Sequence, residues 1–211
     1  MDSISVGMAV GGFVIGMATV TGRWCYTWLK QRRHHRQEGT NLKMLAGLDL
    51  QIHDLLTELR VISGAARAAV FQFHNGEHFY SGSSIQRVSC THESVIGGVG
   101  LSQHLQSNVP ASMLAPIIEP MLAHKSGEPI EVRQIDDLAD SHIKSVLMNL
   151  NVMAVAHVPL RQGEYKTVGF VEFHWMDLDR ICEGTDVLVG QFVQRIEALL
   201  MVRLEATIAE G

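Results

Sequence analysis

Eleven histidines in a chain of 211 residues are the first feature with chemical potential. His34 and His35 belong to a basic run, whereas His74, His157 and His174 fall in stretches that read as β-strands, with His78 and His92 close by. Side chains alternate along a strand, so Val70, Gln72 and His74 share one face, and Val168, Phe170, Glu172 and His174 share another. If these strands are neighbours, Gln72, His74, His157, Glu172 and His174 form a polar patch inside an apolar sheet. Three kinds of chemistry fit such a patch. A transition-metal site needs three or four donors converging within ~2.0–2.2 Å of one ion. A polar ligand pocket needs only a few convergent groups. The simplest alternative is strand histidines hydrogen-bonded to their neighbours. His74 and His78 flank a turn, so helical spacing does not apply to them and no spacing selects the metal. Metal binding therefore stays open, and no cofactor follows from these residues.

Two short segments add candidates. His74 to Ser84 (HNGEHFYSGSS) combines turn residues, aromatics and hydroxyls, and its Asn75-Gly76 pair is a strong hairpin signal. A glycine- and serine-rich loop can hold an anion through backbone N–H groups, yet neither G-x-x-x-x-G-K-[ST] nor G-x-G-x-x-G is present. Cys90, His92 and Glu93 bring a thiol, an imidazole and a carboxylate together in sequence. In a regular strand Cys90 and His92 share a face, too far apart for a direct nucleophile–base bond. The reading therefore assigns no catalytic residue and expects no enzyme. Its ligand-binding candidates are His74, Asn75, His78, Cys90, His92, His157, Glu172 and His174.

The elements that must position these residues change character along the chain. From Leu42 to Ser63 the residues Leu45, Leu48, Ile52, Leu55, Leu59 and Ile62 recur at spacings of three and four, a heptad seam. It suits either a short coiled coil with a partner or a helix packed on its own sheet, and Gly64 ends it as a C-terminal cap. Strands are expected over Ala68 to His74, Ile85 to Thr91, Pro129 to Ile135, Val152 to Leu160 and Thr167 to Trp175. Between the second and third of them lie an irregular loop and a proline-interrupted helical segment, Pro110 to His124. Helices are expected over Asp137 to Asn149 and Thr185 to Ala209, the latter with Val189, Phe192, Val193, Ile196, Leu199 and Leu200 on one side. One antiparallel sheet with helices segregated around it is an α+β architecture.

Ahead of this lies a segment of a different kind. Ile4 to Gly22 carries no charged residue, and as a helix it would span roughly 28 Å, close to the hydrocarbon thickness of a bilayer. Trp24, Tyr26 and Trp28 follow as interfacial aromatics, and then KQRRHHR. Positive residues stay on the cytoplasmic side, so the expected topology is a single pass through the inner membrane with the N-terminus outside. A cleaved signal peptide would carry its positive charge before the apolar run, where only Asp2 stands. The expected organisation is an anchor over 1–29, a basic linker over 30–44 and a domain over 45–211. Gly7, Gly11, Gly12 and Gly16 give small-residue spacings that suit helix pairing in lipid, with incidental small residues as the alternative.

The net charge of −5 includes the basic cluster from Arg23 to Lys43, so the rest of the chain is more acidic than the whole. An acidic domain is a poor nucleic-acid binder, and none is expected as a partner. Three scattered cysteines, Cys25, Cys90 and Cys182, make no disulfide framework and fit a reducing compartment.

The helix leading into AAVFQFHNG, the SGEPIEV before a helix, and above all NVMAVAHVPLRQGEYKTVGFVEFHW resemble the GAF domain family of small-molecule sensors. The resemblance covers about residues 45 to 208. It implies a pocket on one sheet face, roofed by the insert, with the terminal helices on the other face and often dimerising. No nucleotide-binding signature lies over Gly97 to Pro120, and neither Cys90 nor Cys182 has the context of a bilin attachment site. The expectation is a membrane-anchored sensory or regulatory module, a homodimer or oligomer, that binds a small ligand or a membrane protein partner and carries no output domain. The alternative is a bacterial or phage structural protein whose GAF-like fold binds no ligand.

Overall fold

The computed structural model describes residues 42–78, 84–123, 131–163, 166–182 and 184–208. The expected membrane span, its aromatic belt and the basic run lie outside the described residues. Among the described residues no helix is long and apolar enough to cross a membrane. Two compact units divide the chain, Met1–Ala46 and Gly47–Gly211, and the described part of the first is the helical stretch 42–46.

The second unit is built on six antiparallel strands in the order β3-β2-β1-β6-β5-β4. They are β1 (Arg67–His78), β2 (Ser84–Val95), β3 (Val109–Pro110), β4 (Arg133–Gln134), β5 (Ala154–Gln162) and β6 (Lys166–Trp175). The helices are α1 (residues 42–63), α2 (Ala115–Ala123), α3 (His142–Asn149) and α4 (Asp186–Ile208). An irregular insert runs from the end of β2 to β5 and contains β3, α2, β4 and α3. This is the α+β arrangement expected from the sequence.

The sheet separates two apolar cores. On one face Ile52, Leu55, Leu56 and Leu59 of α1 and Val189, Val193, Ile196 and Leu200 of α4 pack on Ala68, Val70, Val158, Val171 and Phe173. The middle of the heptad seam is thus satisfied inside its own domain. Phe173 and Trp175 stack with centroids 5.9 Å apart, and the Trp175 indole N–H donates to Ser63 O at 3.0 Å, fastening the end of α1. Gly64 ends that helix at φ +70°, and a Cβ there would run into Arg180 O, so both the turn and the close approach need glycine. On the other face Leu114, Ile117 and Met121 of the insert, with Ile143 and Leu147 of α3, cover Ala69, Phe71, Val88, Cys90, Val155 and Phe170.

Strand patterns explain the central position of β5 and β6. Both are buried over seven consecutive residues, because helices cover one face and the insert the other. Pro159 sits in β5 beyond its short pairing with β4, where β5 is an edge strand and proline is tolerated. Gly169 lets β6 approach β1 closely, since a Cβ would strike Phe71 O.

Two expectations of local structure are corrected. Asn75-Gly76 is not the hairpin turn; β1 continues to His78, with Asn75 opposite Gln86 and an irregularity before His78. The Gln86 amide donates to Asn75 Oδ1 at 3.0 Å, and the Arg87 side chain fills the space over Gly76, so pairing overrides the local turn preference. Of the expected strand over Pro129 to Ile135, residues 129–130 lie outside the described residues, and the rest forms a strand only over Arg133–Gln134, because Ile135 already turns into a 3-10 helix over Ile135–Asp137.

Candidate functional site

Register places a row of polar residues on the insert-facing side of the sheet. His157 of β5 lies opposite Glu172 of β6, Glu172 lies opposite Ala69 of β1, and Ala69 lies opposite Glu93 of β2. In the adjoining row His174 lies opposite Arg67. Ala69 is small, so the Arg67 side chain has room between the two carboxylates.

The contacts form a continuous chain. Arg67 Nε is 2.7 Å from Glu93 Oε1, although poorly aligned for a hydrogen bond. Arg67 Nη1 donates to His174 Nδ1 at 3.0 Å. His174 Nε2 donates to Glu172 Oε1 at 2.5 Å, and His157 Nε2 donates to Glu172 Oε2 at 2.9 Å. Arginine can only donate, so His174 Nδ1 accepts and its ring proton sits on Nε2, which makes that ring neutral. All five residues are buried, with Arg67 at 1% and His174 at 0% exposure. Such a network is costly to desolvate and strongly destabilising to break, because each charge has exchanged water for one specific partner.

A β-bulge decides which side chains join it. The partner of Val70 is His92 while that of Phe71 is Cys90, so Thr91 is the extra residue. Cys90 and Glu93 therefore face the insert and His92 faces the helices. This corrects the expectation that Cys90 and His92 share a face. Glu93 then ties down the loop after β2: its carboxylate accepts from Ser102 N at 3.0 Å, Ser102 Oγ at 2.8 Å and Gln103 N at 2.9 Å. Arg67 Nη2 adds a bond to Gly100 O at 2.6 Å, and Cys90 N donates to Gln106 O at 3.0 Å.

Between this floor and the insert lies a cavity of about 40 Å³. Phe71, Phe170 and Glu172 form its floor, with Gln106, Ile143 and Val146 above. Phe71 and Phe170 stack at 4.9 Å, and the His157 ring stands edge-on to Phe170 at 5.7 Å. Burial alone would raise the Glu172 pKa, but His174 beside it and the hydrogen bonds from both histidines override burial and hold it below the usual carboxylate range. Burial lowers the His157 pKa despite its bond to Glu172, so that ring is neutral and the Glu172 charge is held by directed N–H bonds. Burial, then the negative charges of Glu93 and Glu172, push the Cys90 thiol far above its ordinary value. Cys90 is thus an unreactive thiol, since thiolate is the nucleophilic form. A larger open groove, about 450 Å³, runs between α1 and α4 past Gln51, Asp54, Glu58 and Arg195, away from this network.

The eight candidates divide between the two faces. Glu172 lines the cavity, Cys90 is buried in the insert-side core, and His157 and His174 hold Glu172 from behind. His92 packs on the helix side, donating to Asp49 Oδ1 of α1 at 3.2 Å, and Arg203 of α4 donates to the same oxygen at 2.8 Å. His74 bonds Ser89 Oγ at 2.9 Å, while Asn75 and His78 are exposed near the end of β1. Gln72 and His74 thus lie across the sheet from Glu172, correcting the expected single patch: even-numbered residues of β1 face the helices, but Glu172 and His174 align with odd-numbered ones. From the sequence Glu93 stands out only as a neighbour of Cys90 and His92, and Arg67, Ser102 and Gln106 are passed over. Arg67 carried a usable signal, because it alternates with Ala69 and Phe71 on an inward-facing strand. Among the described residues no group of three or more His, Cys, Asp or Glu side chains is arranged to hold a metal ion.

No protein-family model and no curated protein matches the sequence. Solved structures do match in fold. The chromophore-binding domain of an unusual bacteriophytochrome from R. palustris aligns with a TM-score of 0.55 at 13% identity, covering 84% of this chain and 63% of that one, less than two thirds of its length. The phycocyanobilin-bound GAF domain of a cyanobacterial phytochrome aligns at 0.53 with 17% identity, covering 78% of this chain and 93% of that one. A GAF domain/HD domain protein from Geobacter sulfurreducens aligns at 0.55 with 15% identity, covering 77% and 97%. The domain described here has a GAF-like fold.

Proposed function

We propose that this chain is a sensory or regulatory module of GAF type, tethered to the cytoplasmic face of a membrane by Ile4 to Gly22, that binds a small molecule between sheet and insert. The cavity at Glu172 carries this reading: an ionised carboxylate held by two histidines opens into a mostly apolar space that Gln106 and His142 also line, the pattern of a specific small-molecule site. A route to the helices follows from β2. Glu93 grips the roofing loop, its neighbour His92 bonds Asp49, and Ser94 Oγ contacts Thr57 Oγ1 at 2.9 Å and accepts from Arg60 Nε at 3.2 Å. Movement of the loop would reach α1 and α4 through three adjacent residues.

One observation favours a second reading, a membrane-anchored interaction protein that binds no ligand. The cavity of about 40 Å³ is far smaller than the roughly 300–1,000 Å³ of ordinary small-molecule sites. Native mass spectrometry of the full chain, extracted in detergent and paired with elemental analysis, separates the two. A retained stoichiometric small molecule supports the sensor, whereas a folded, empty protein supports the scaffold. Alkaline carbonate treatment of membranes tests the tether: release of the chain into the soluble fraction would sink it.

A further inference from the structure

The buried row beside the cavity is short of one positive charge. Arg67 supplies one, while Glu93 and Glu172 supply two negative charges. His174 is held neutral by the donor Arg67 at its Nδ1. His157 is the remaining place for a proton, but burial disfavours it and its Nδ1 has no hydrogen-bond partner. The groups facing His157 are Glu172 and the neutral His174 of β6 and the half-buried Arg133 of β4, whose charge repels a proton. Among the described residues no lysine or arginine lines the cavity, Glu172 is its only carboxylate, and His142 of α3 is the one imidazole at its wall. The thiol of Cys90 in the insert-side core registers the same surplus, being pushed up by burial and then by both carboxylates.

Glu172 has capacity to spare. Its two oxygens each accept one N–H from a histidine, and a carboxylate offers about four lone-pair sites. The stacked pair Phe71–Phe170 lies beside it, and ring faces attract cations within about 6 Å. An anion would meet the Glu172 charge in a dry site, and a neutral apolar molecule would leave that charge uncompensated.

We propose that the cavity takes a small protonated amine, its N–H groups donating to Glu172 and its body of a few heavy atoms packed between Phe71, Phe170 and Val146. The assignment rests on the ligand-binding reading above and names the ligand class. The size limit follows from the cavity of about 40 Å³, which excludes a tetrapyrrole or a nucleotide unless the loop over residues 96–108 moves away.

The test uses the full chain in detergent at constant ionic strength, with methylammonium, methanol and acetate as matched cationic, neutral and anionic probes. Methylammonium at a hundredfold excess over its Kd should raise Tm by about 5–10 °C, and the other two should not. The shift should vanish in Glu172→Gln. Val146→Phe, which fills the cavity from half-buried α3 and leaves the carboxylate intact, should abolish it as well if Glu172→Gln proves unstable. An equal shift with acetate or methanol, no shift with methylammonium, or a shift surviving in both variants would overturn the assignment. Native mass spectrometry of the same preparation locates the failure. A retained neutral or anionic compound would overturn the amine and keep the ligand-binding reading; an empty, unresponsive protein would overturn both.

Discussion

Two faces of one sheet are built from alternating residues of the same strands and solve opposite problems. The helix face is dry and apolar, with Ile52, Leu56, Leu59, Phe173 and Ile196 all nearly or fully buried. Its polar contacts are short and separate: Ser94 meets Thr57 and Arg60, and Asp49 meets His92 and Arg203 at the margin, where the Asp49 side chain keeps 37% exposure. The insert face buries Glu93, Arg67, His174, Glu172 and His157 in a single connected row and leaves a cavity next to it. Hydrophobic packing is tolerant and non-directional, so the helix face needs only the right volume and period. Buried charge is directional and unforgiving, so the insert face depends on every partner being in place. A protein that carried the second arrangement for stability alone would do as well with apolar residues. That difference is why the insert face is the candidate site.

Breaking the charged row should have the largest effect. Arg67→Met leaves Glu93 without its cation and His174 without its donor, and should cost about 3–5 kcal/mol. Urea unfolding of the full chain in detergent, followed by tryptophan fluorescence, reads this. A loss under about 1 kcal/mol would mean that the row is wet and replaceable. On the other face Leu59→Ala should cost about 3 kcal/mol through lost burial and the cavity left behind. Its signature is independence of pH, because no titratable group belongs to that cluster. If the cost changed markedly between pH 5 and pH 8, the two faces would not be separable in the way described.

The pH dependence sharpens the contrast. His157 has a lowered pKa when folded, so as pH falls below its ordinary 6.5 the unfolded chain takes up a proton that the folded chain refuses. Stability should therefore fall as pH drops from about 6.5 toward the lower folded value, by at most about 1.4 kcal/mol per pH unit for this group. His92, also lowered by burial, adds a term of the same sign. Glu172 adds a later one: its carboxylate contributes stability above its ordinary 4.5, and this is lost as pH falls through the depressed folded value. Chemical unfolding at a series of pH values should show a shallower slope near pH 6 in His157→Gln than in the wild type. Equal slopes would argue that the ring titrates freely and is not confined in the row. The smallest effect is expected at the margin, where Asp49→Ala should cost about 0.5–1 kcal/mol, diminishing in high salt. A loss as large as that of Arg67→Met would place the polar centre of the domain on the wrong face.

Periodicity made the outer architecture legible. The seam from Leu48 to Leu59, the stripe from Val189 to Leu200 and the two long strands ending at Gln162 and Trp175 each carry an unbroken local signal, so their type followed from the sequence. Gly64 was readable as a cap because a left-handed residue after a helix needs glycine. Glu172, His157 and His174 were recognisable as one group, since charged and imidazole side chains are rare in strands otherwise made of Val, Phe and Ala.

Only the tertiary structure decided which partners they have. Whether His74 joins Glu172 depends on the register between β1 and β6, and a shift of one residue moves a side chain to the other face. Whether Cys90 and His92 share a face depends on the bulge at Thr91, which leaves no local mark. Arg67 and Glu93 are separated by β1, a hairpin and β2, and their pairing exists only because antiparallel strands bring the two ends back together. The sequence by itself determined the elements and the residue types worth watching, because both are encoded in short-range spacing. The site had to wait for the sheet, because charge pairing and cavity shape are properties of strands distant in the chain.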